Sequence, residues 1–189
     1  MRLTYGSRRE KTLLPAAFLA AAAAGLALLL GEGLDLLPFL WLPLYLAGSG
    51  LLLGALSVRP LRDSAFGNLL YRALPTLLIA GAILTASSLP MGPGKAVSVP
   101  DDLLHGLEYA GLGFLMARML HPAAAPLRLR ALVLAGAIAV LFGALDEFRQ
   151  SFVPGRDPSL ADLRSDAVGI LAGVLSYTLL YLRRAEGPD

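Results

Sequence analysis

Side chains able to do chemistry fall in two short stretches. The longer, LDEFRQSFVPGRDPSLADLRSD (145–166), packs five acids, a glutamine and three arginines into 22 residues. Asp146 and Gln150 stand four apart, as do Asp162 and Asp166, so each pair shares a face if its segment is helical. The shorter stretch is DDLLHGLEY (101–109). On a helix Asp101, His105 and Glu108 lie at i, i+4 and i+7, roughly one face, with Asp102 and Tyr109 flanking them. A carboxylate beside an imidazole orients the ring and raises its proton affinity, which makes His105 with Asp101 a candidate acid/base pair. Arg156 follows Pro154-Gly155, so a turn holds its backbone. A guanidinium fixed there can grip a phosphate or carboxylate with two parallel hydrogen bonds.

Asp146 and Glu147 close an apolar run. At a helix C-terminus the macrodipole disfavours acids, so a nearby cation or histidine must hold them. Arg149 and Arg156 are close in sequence, and His105 can reach from an adjacent span. The candidate catalytic residues are therefore His105, Asp101, Asp146 and Glu147. The candidate ligand-binding residues are Arg156, Arg149, Gln150, Tyr109, Glu108, Asp162 and Asp166. The competing structural reading makes Asp101, Asp102 and Asp162 caps, turns Glu108 outward, and makes the rest an ion-pair cluster that fastens helices. Such clusters are weak evidence for stability, because desolvation opposes the attraction. No residue is assigned as a metal ligand: there is no HExxH, no thiolate, and no second histidine near His105. A carboxylate-bound divalent cation is the one cofactor left open.

These residues need a scaffold, and composition says which. Of 189 residues, 56% are hydrophobic and only 16% charged, with mean hydropathy +0.66. That is too little charge to cover a soluble surface. Several apolar runs approach the ~20 residues needed to cross a hydrocarbon core as helix. The runs are unbroken rather than alternating, which disfavours a barrel. The expected fold is all-α, a polytopic transmembrane bundle of about six spans, near 12–30, 36–57, 73–89, 101–120, 131–148 and 159–182. Residues 57–72 read as a basic connection with a short interfacial helix, and the N-terminal run as a retained span. Trp41 and Tyr45 suit interface anchors. Ala20–Ala24, Gly48, Gly50, Gly111, Gly113 and Gly169-x-x-x-Gly173 supply small residues for close helix packing. Ser159-x-x-Asp162 resembles a capping box.

Orientation follows from Lys and Arg. With the N-terminus inside and six spans, 12 basic residues fall on the cytoplasmic side and 4 outside, while 10 of the 14 acids fall outside. Both termini are then cytoplasmic and both chemical stretches lie at the outer face of a bacterial cytoplasmic membrane. With no cysteine, thiol chemistry is excluded. The basic inner edge reads as topology and lipid contact, not nucleic-acid binding.

Ser87-Ser88-Leu89-Pro90, Asp101…His105, Glu108-Tyr109, and then Asp146-Glu147, Gln150, Pro154-Gly155-Arg156, Ser159, Asp162, Asp166 and Gly169 form one ordered pattern. In that pattern the chain resembles the VanZ-like family of small bacterial membrane proteins over about residues 73–182. Asp102 stands where the family pattern has Lys. The resemblance implies a four-span domain, 73–183, behind an added two-span region, 1–72. It also implies a cell-envelope setting and a link with resistance to glycopeptide antibiotics.

Two functions are expected from these residues. In the first, an outer-leaflet site recognises or processes an anionic lipid-linked headgroup, a cell-wall precursor carrier or a phospholipid. Arg156 and Arg149 would grip phosphate, His105 and Asp101 move a proton, and Gln150 orient the ligand. In the second, the protein is a non-enzymatic membrane shield or assembly factor and the cluster is structural. Ion transport is disfavoured, because the acids sit at one edge with no charge continuing a path across the spans.

Overall fold

The computed structural model describes residues 8–31, 41–56, 65–88, 101–121 and 126–186, and among them all regular structure is helical. Six helices follow in order: α1 (Arg8–Gly31), α2 (Trp41–Leu56), α3 (Ala65–Ser87), α4 (Asp101–Leu120), α5 (Leu129–Gln150) and α6 (Leu160–Glu186). Among the described residues three segments are long and apolar enough to cross a membrane: Phe66–Ser87, Leu129–Gln150 and Leu160–Leu182. Leu14–Ala24 and Pro43–Gly54 are shorter apolar helices. α4 carries His105, Glu108 and Arg118 within its 20 residues.

The third helix differs from expectation. It begins at Ala65, so much of the stretch read as a connection is helix, and Pro75 lies inside it. Proline removes one backbone hydrogen bond, yet apolar spans tolerate it where neighbours satisfy the freed groups. Residues 57–64 of that connection, and the loop at 91–100, lie outside the described residues.

The chain forms two compact units, Met1–Leu78 with Lys95–Ser98, and Ile79–Gly94 with Val99–Asp189. In the first, α1 packs on α2. A Cβ on Gly50 would stand 3.0 Å from the Pro15 carbonyl oxygen, so the two backbones approach closely there. Nothing lies within 4 Å of such a Cβ at Gly48. Of Ala20–Ala24 only Ala22 is buried. The Tyr45 hydroxyl donates to the Leu78 carbonyl at 2.7 Å. The side chain of Trp41 lies outside the described residues.

The second unit is built on α4 against α6. A Cβ on Gly169 or Gly173 would run into the carbonyls of Gly106 and Ala110, and one on Gly113 into the backbone of Ile170. These glycines let two helix backbones touch, as small-xxx-small spacing allows. Above the contact, Tyr109, Leu112, Ala139 and Ile170 form one apolar cluster with Ile83. Met116, Ala117, Leu132, Ala135 and Tyr177 form a second. Val133, Leu141, Val168, Leu171, Leu175 and Leu179 point outward. Large apolar groups on the outside, with the polar groups Asp146, Asp166 and His121 buried inside, is the pattern of a helix bundle solvated by lipid.

Candidate functional site

The buried face of α5 runs Leu132, Ala135, Ala139, Gly143, and then Asp146, Glu147 and Gln150. One stripe turns from apolar to polar in its last turn. That turn meets the C-terminal end of α3, the first turns of α4 and the N-terminal turn of α6, so four helix ends supply the site.

Asp146 is only 2% exposed. Its Oδ1 accepts from the Ser87 hydroxyl at 2.9 Å and from Arg149 Nε and Nη2 at 3.2 and 2.8 Å. Its Oδ2 accepts from Gln150 Nε2 at 3.1 Å. Arg149 continues outward: its guanidinium donates to the hydroxyls of Ser87 and Ser88 and to the Leu84 carbonyl. The cation expected to grip a ligand is thus engaged within the protein. Ser87 and Ser88 were visible in the sequence only as part of a motif; the structure makes them partners of Asp146 and Arg149.

Glu147 answers to a helix end. Its Oε2 accepts the Ser159 backbone N–H at 3.1 Å, and Gln150 Nε2 donates to Oε1 at 3.3 Å. The Ser159 hydroxyl accepts from the N–H groups of Ala161 and Asp162, so Ser159 is the N-cap of α6. In a capping box the third helical residue would return a bond to the cap's own N–H. Here Glu147 of α5 takes that N–H. An acid disfavoured at the C-terminus of its own helix is held by the N-terminus of the next.

The link between α5 and α6 is a tight turn. Arg156 N–H donates to the Val153 carbonyl at 3.1 Å and Gly155 has φ 78°, as a type II turn with Pro154 at its second position requires. The Arg156 Nε is buried and has no hydrogen-bond partner among the described residues.

His105 faces α6. Its Nδ1 lies 3.0 Å from Asp166 Oδ1, with 12% of the His105 side chain and 1% of the Asp166 side chain exposed. With Asp166 ionised, Nδ1 carries the proton shared between them. The carboxylate paired with the imidazole is therefore Asp166; the side chain of Asp101 lies outside the described residues. The buried Tyr109 ring lies parallel to His105, centroids 6.5 Å apart. Glu108 and Asp102 are exposed, and Asp162 is half-buried. Asp162 adds its charge to the field at His105, Glu147 and Asp166.

The structure thus gathers His105, Tyr109, Asp146, Glu147, Gln150 and Asp166, and commits Arg149 to Asp146. His105, Glu147 and Asp166 each present one potential ligand atom, all within 4.8 Å of one another. The assembly can hold a proton at His105, accept donors at Asp166 and Glu147, or bind a cation. Gly143 belongs to the same stripe, and its spacing from Ala135, Ala139 and Glu147 is its one signal in the sequence. A Cβ there would stand 3.1 Å from Tyr109 Cε1 and 3.4 Å from Asp166 Oδ2. Compared with models of known protein families, with curated proteins and with solved structures, the chain matches none.

Proposed function

We propose that this is a VanZ-like membrane protein with six spans, both termini cytoplasmic, and a polar site at the outer leaflet that recognises or processes an anionic lipid-linked headgroup. The observation that carries the reading is the buried, unpartnered Nε of Arg156 in a fixed turn beside the convergent helix ends. A buried guanidinium nitrogen without an acceptor is costly, and a phosphate oxygen satisfies it with a strong charge-assisted bond. Arg149 does not take this role, because Asp146, Ser87 and Ser88 already occupy it. His105, oriented by Asp166, would exchange a proton with the headgroup or with water through Nε2. The ligand is a phospholipid or a polyprenyl-phosphate-linked cell-wall precursor, with no nucleic acid involved.

Lipids that copurify from native membranes test this by mass spectrometry. Replacing Arg156 by Ala is expected to remove one phosphate-bearing species retained by the parent; an unchanged lipid profile overturns the reading. Turnover of that species is expected to vanish in His105→Ala while binding persists.

One observation favours a second, non-enzymatic reading. The Arg149, Asp146, Ser87 and Ser88 network fastens α5 to α3 with both Asp146 oxygens satisfied, as a structural clasp would. Retained lipid with no turnover in the parent itself would select the shield or assembly role, with its link to glycopeptide resistance.

A further inference from the structure

We infer that His105, Glu147 and Asp166 form a binding site for one divalent transition ion of the manganese or zinc class. Three helices contribute one residue each. Their ligand atoms lie within 4.8 Å of one another. His105 Nδ1 and Asp166 Oδ1 are already 3.0 Å apart, close to the roughly 3.0–3.4 Å between neighbouring ligands around an ion with bonds of about 2.1 Å. Glu147 is the residue that must close in, and its flexible side chain allows that.

A second observation points to a ligand. Asp166 is 1% exposed, and its Oδ2 is buried with no hydrogen-bond partner. That oxygen is turned towards α5 over Gly143, one helical turn from Glu147. A buried carboxylate oxygen left unpaired is expensive. A cation held by both Asp166 oxygens satisfies it; on binding it displaces the Nδ1 proton, so that His105 ligates as the neutral imidazole, and its two charges neutralise Glu147 and Asp166. Two carboxylates with one imidazole suit manganese or zinc better than calcium or magnesium, which favour all-oxygen shells. Both Glu147 oxygens already accept a hydrogen bond, yet each keeps a second lone pair for a metal.

This ion site rests on the headgroup reading only in taking the edge where α4, α5 and α6 meet as open to ligands. An ion there would also cancel the repulsion that Glu147 and Asp166 exert on an anionic headgroup.

The test titrates manganese into detergent-purified, chelator-stripped full chain and follows free ion by electron paramagnetic resonance, with zinc as competitor. One ion per chain is expected to bind saturably. Binding is expected to weaken at least tenfold in His105→Ala and in Asp166→Asn, and to stay within twofold of the parent in D102N, which alters an exposed acid on the same helix. Because the buried variants could fail to fold, spin-echo modulation on the parent gives an independent readout. Bound manganese is expected to show coupling to one imidazole nitrogen. Absence of saturable binding, bound ion without nitrogen coupling, or folded variants that bind like the parent would each overturn the site. The two readings fail separately. Ion binding with a lipid profile indifferent to Arg156→Ala keeps the ion and removes the headgroup; lipid loss without ion binding does the reverse.

Discussion

Asp146 accepts four hydrogen bonds while only 2% exposed, and two come from one guanidinium. Its charge is tolerable there because Arg149 lies over it. Removing one partner of a buried pair costs about 3–5 kcal/mol. Arg149 keeps about a third of its side chain exposed, so Arg149→Ala is expected to cost less, about 2 kcal/mol. Thermal unfolding in detergent measures this. The double variant with Asp146→Ala is expected to be more stable than the sum of the single losses by about 1 kcal/mol or more. Additive losses would mean that the two side chains do not act as a pair. The sequence suggested that Asp146 needed a cation; that Ser87 and Ser88 share in the arrangement follows only from α3 ending beside α5.

At the scale of elements, the contact between α4 and α6 decides where His105 meets Asp166. Gly169 and Gly173 face backbone carbonyls of Gly106 and Ala110, which cannot move aside as a side-chain tip could. Gly169→Ala and Gly173→Ala are each expected to destabilise by about 1–3 kcal/mol, the cost of overpacking, and to pull Asp166 away from His105. Gly136→Ala, with nothing within 4 Å of its added Cβ, is expected to be neutral or slightly stabilising. Melting temperatures of the three variants, compared side by side, check this; equal behaviour would deny the close approach. The Gly169-x-x-x-Gly173 spacing announced a packing face, but not its partner. Glu147 teaches the same lesson. Its place at the end of an apolar run marked it as misfit, and only the return of the chain through Pro154-Gly155 brings the Ser159 N–H to it.

For the whole molecule, the charge bias predicts sides. The chain has no cysteine, so single cysteines report accessibility cleanly. Asp157→Cys, in the exposed turn after α5, is expected to react with a membrane-impermeant maleimide in intact cells. Arg128→Cys, exposed before α5, is expected to react only after permeabilisation. The opposite pattern would turn the molecule over and place the site at the cytoplasmic face. Among the described residues, three segments long and apolar enough to cross a membrane agree with a bilayer setting.

Residue order by itself determined that the fold is helical and apolar, because unbroken hydrophobic runs leave the backbone no better way to satisfy its hydrogen bonds away from water. It also determined the Pro-Gly turn, the Ser159 cap and the crowding of charge after residue 145, since these depend on neighbours a few positions away. Tertiary structure decided the pairings. His105 meets Asp166 across 61 positions, and Ser87 meets Asp146 across 59. No local spacing fixes which helices touch; that choice falls to the glycines that let backbones close and to the burial cost that drives each lone charge to a partner.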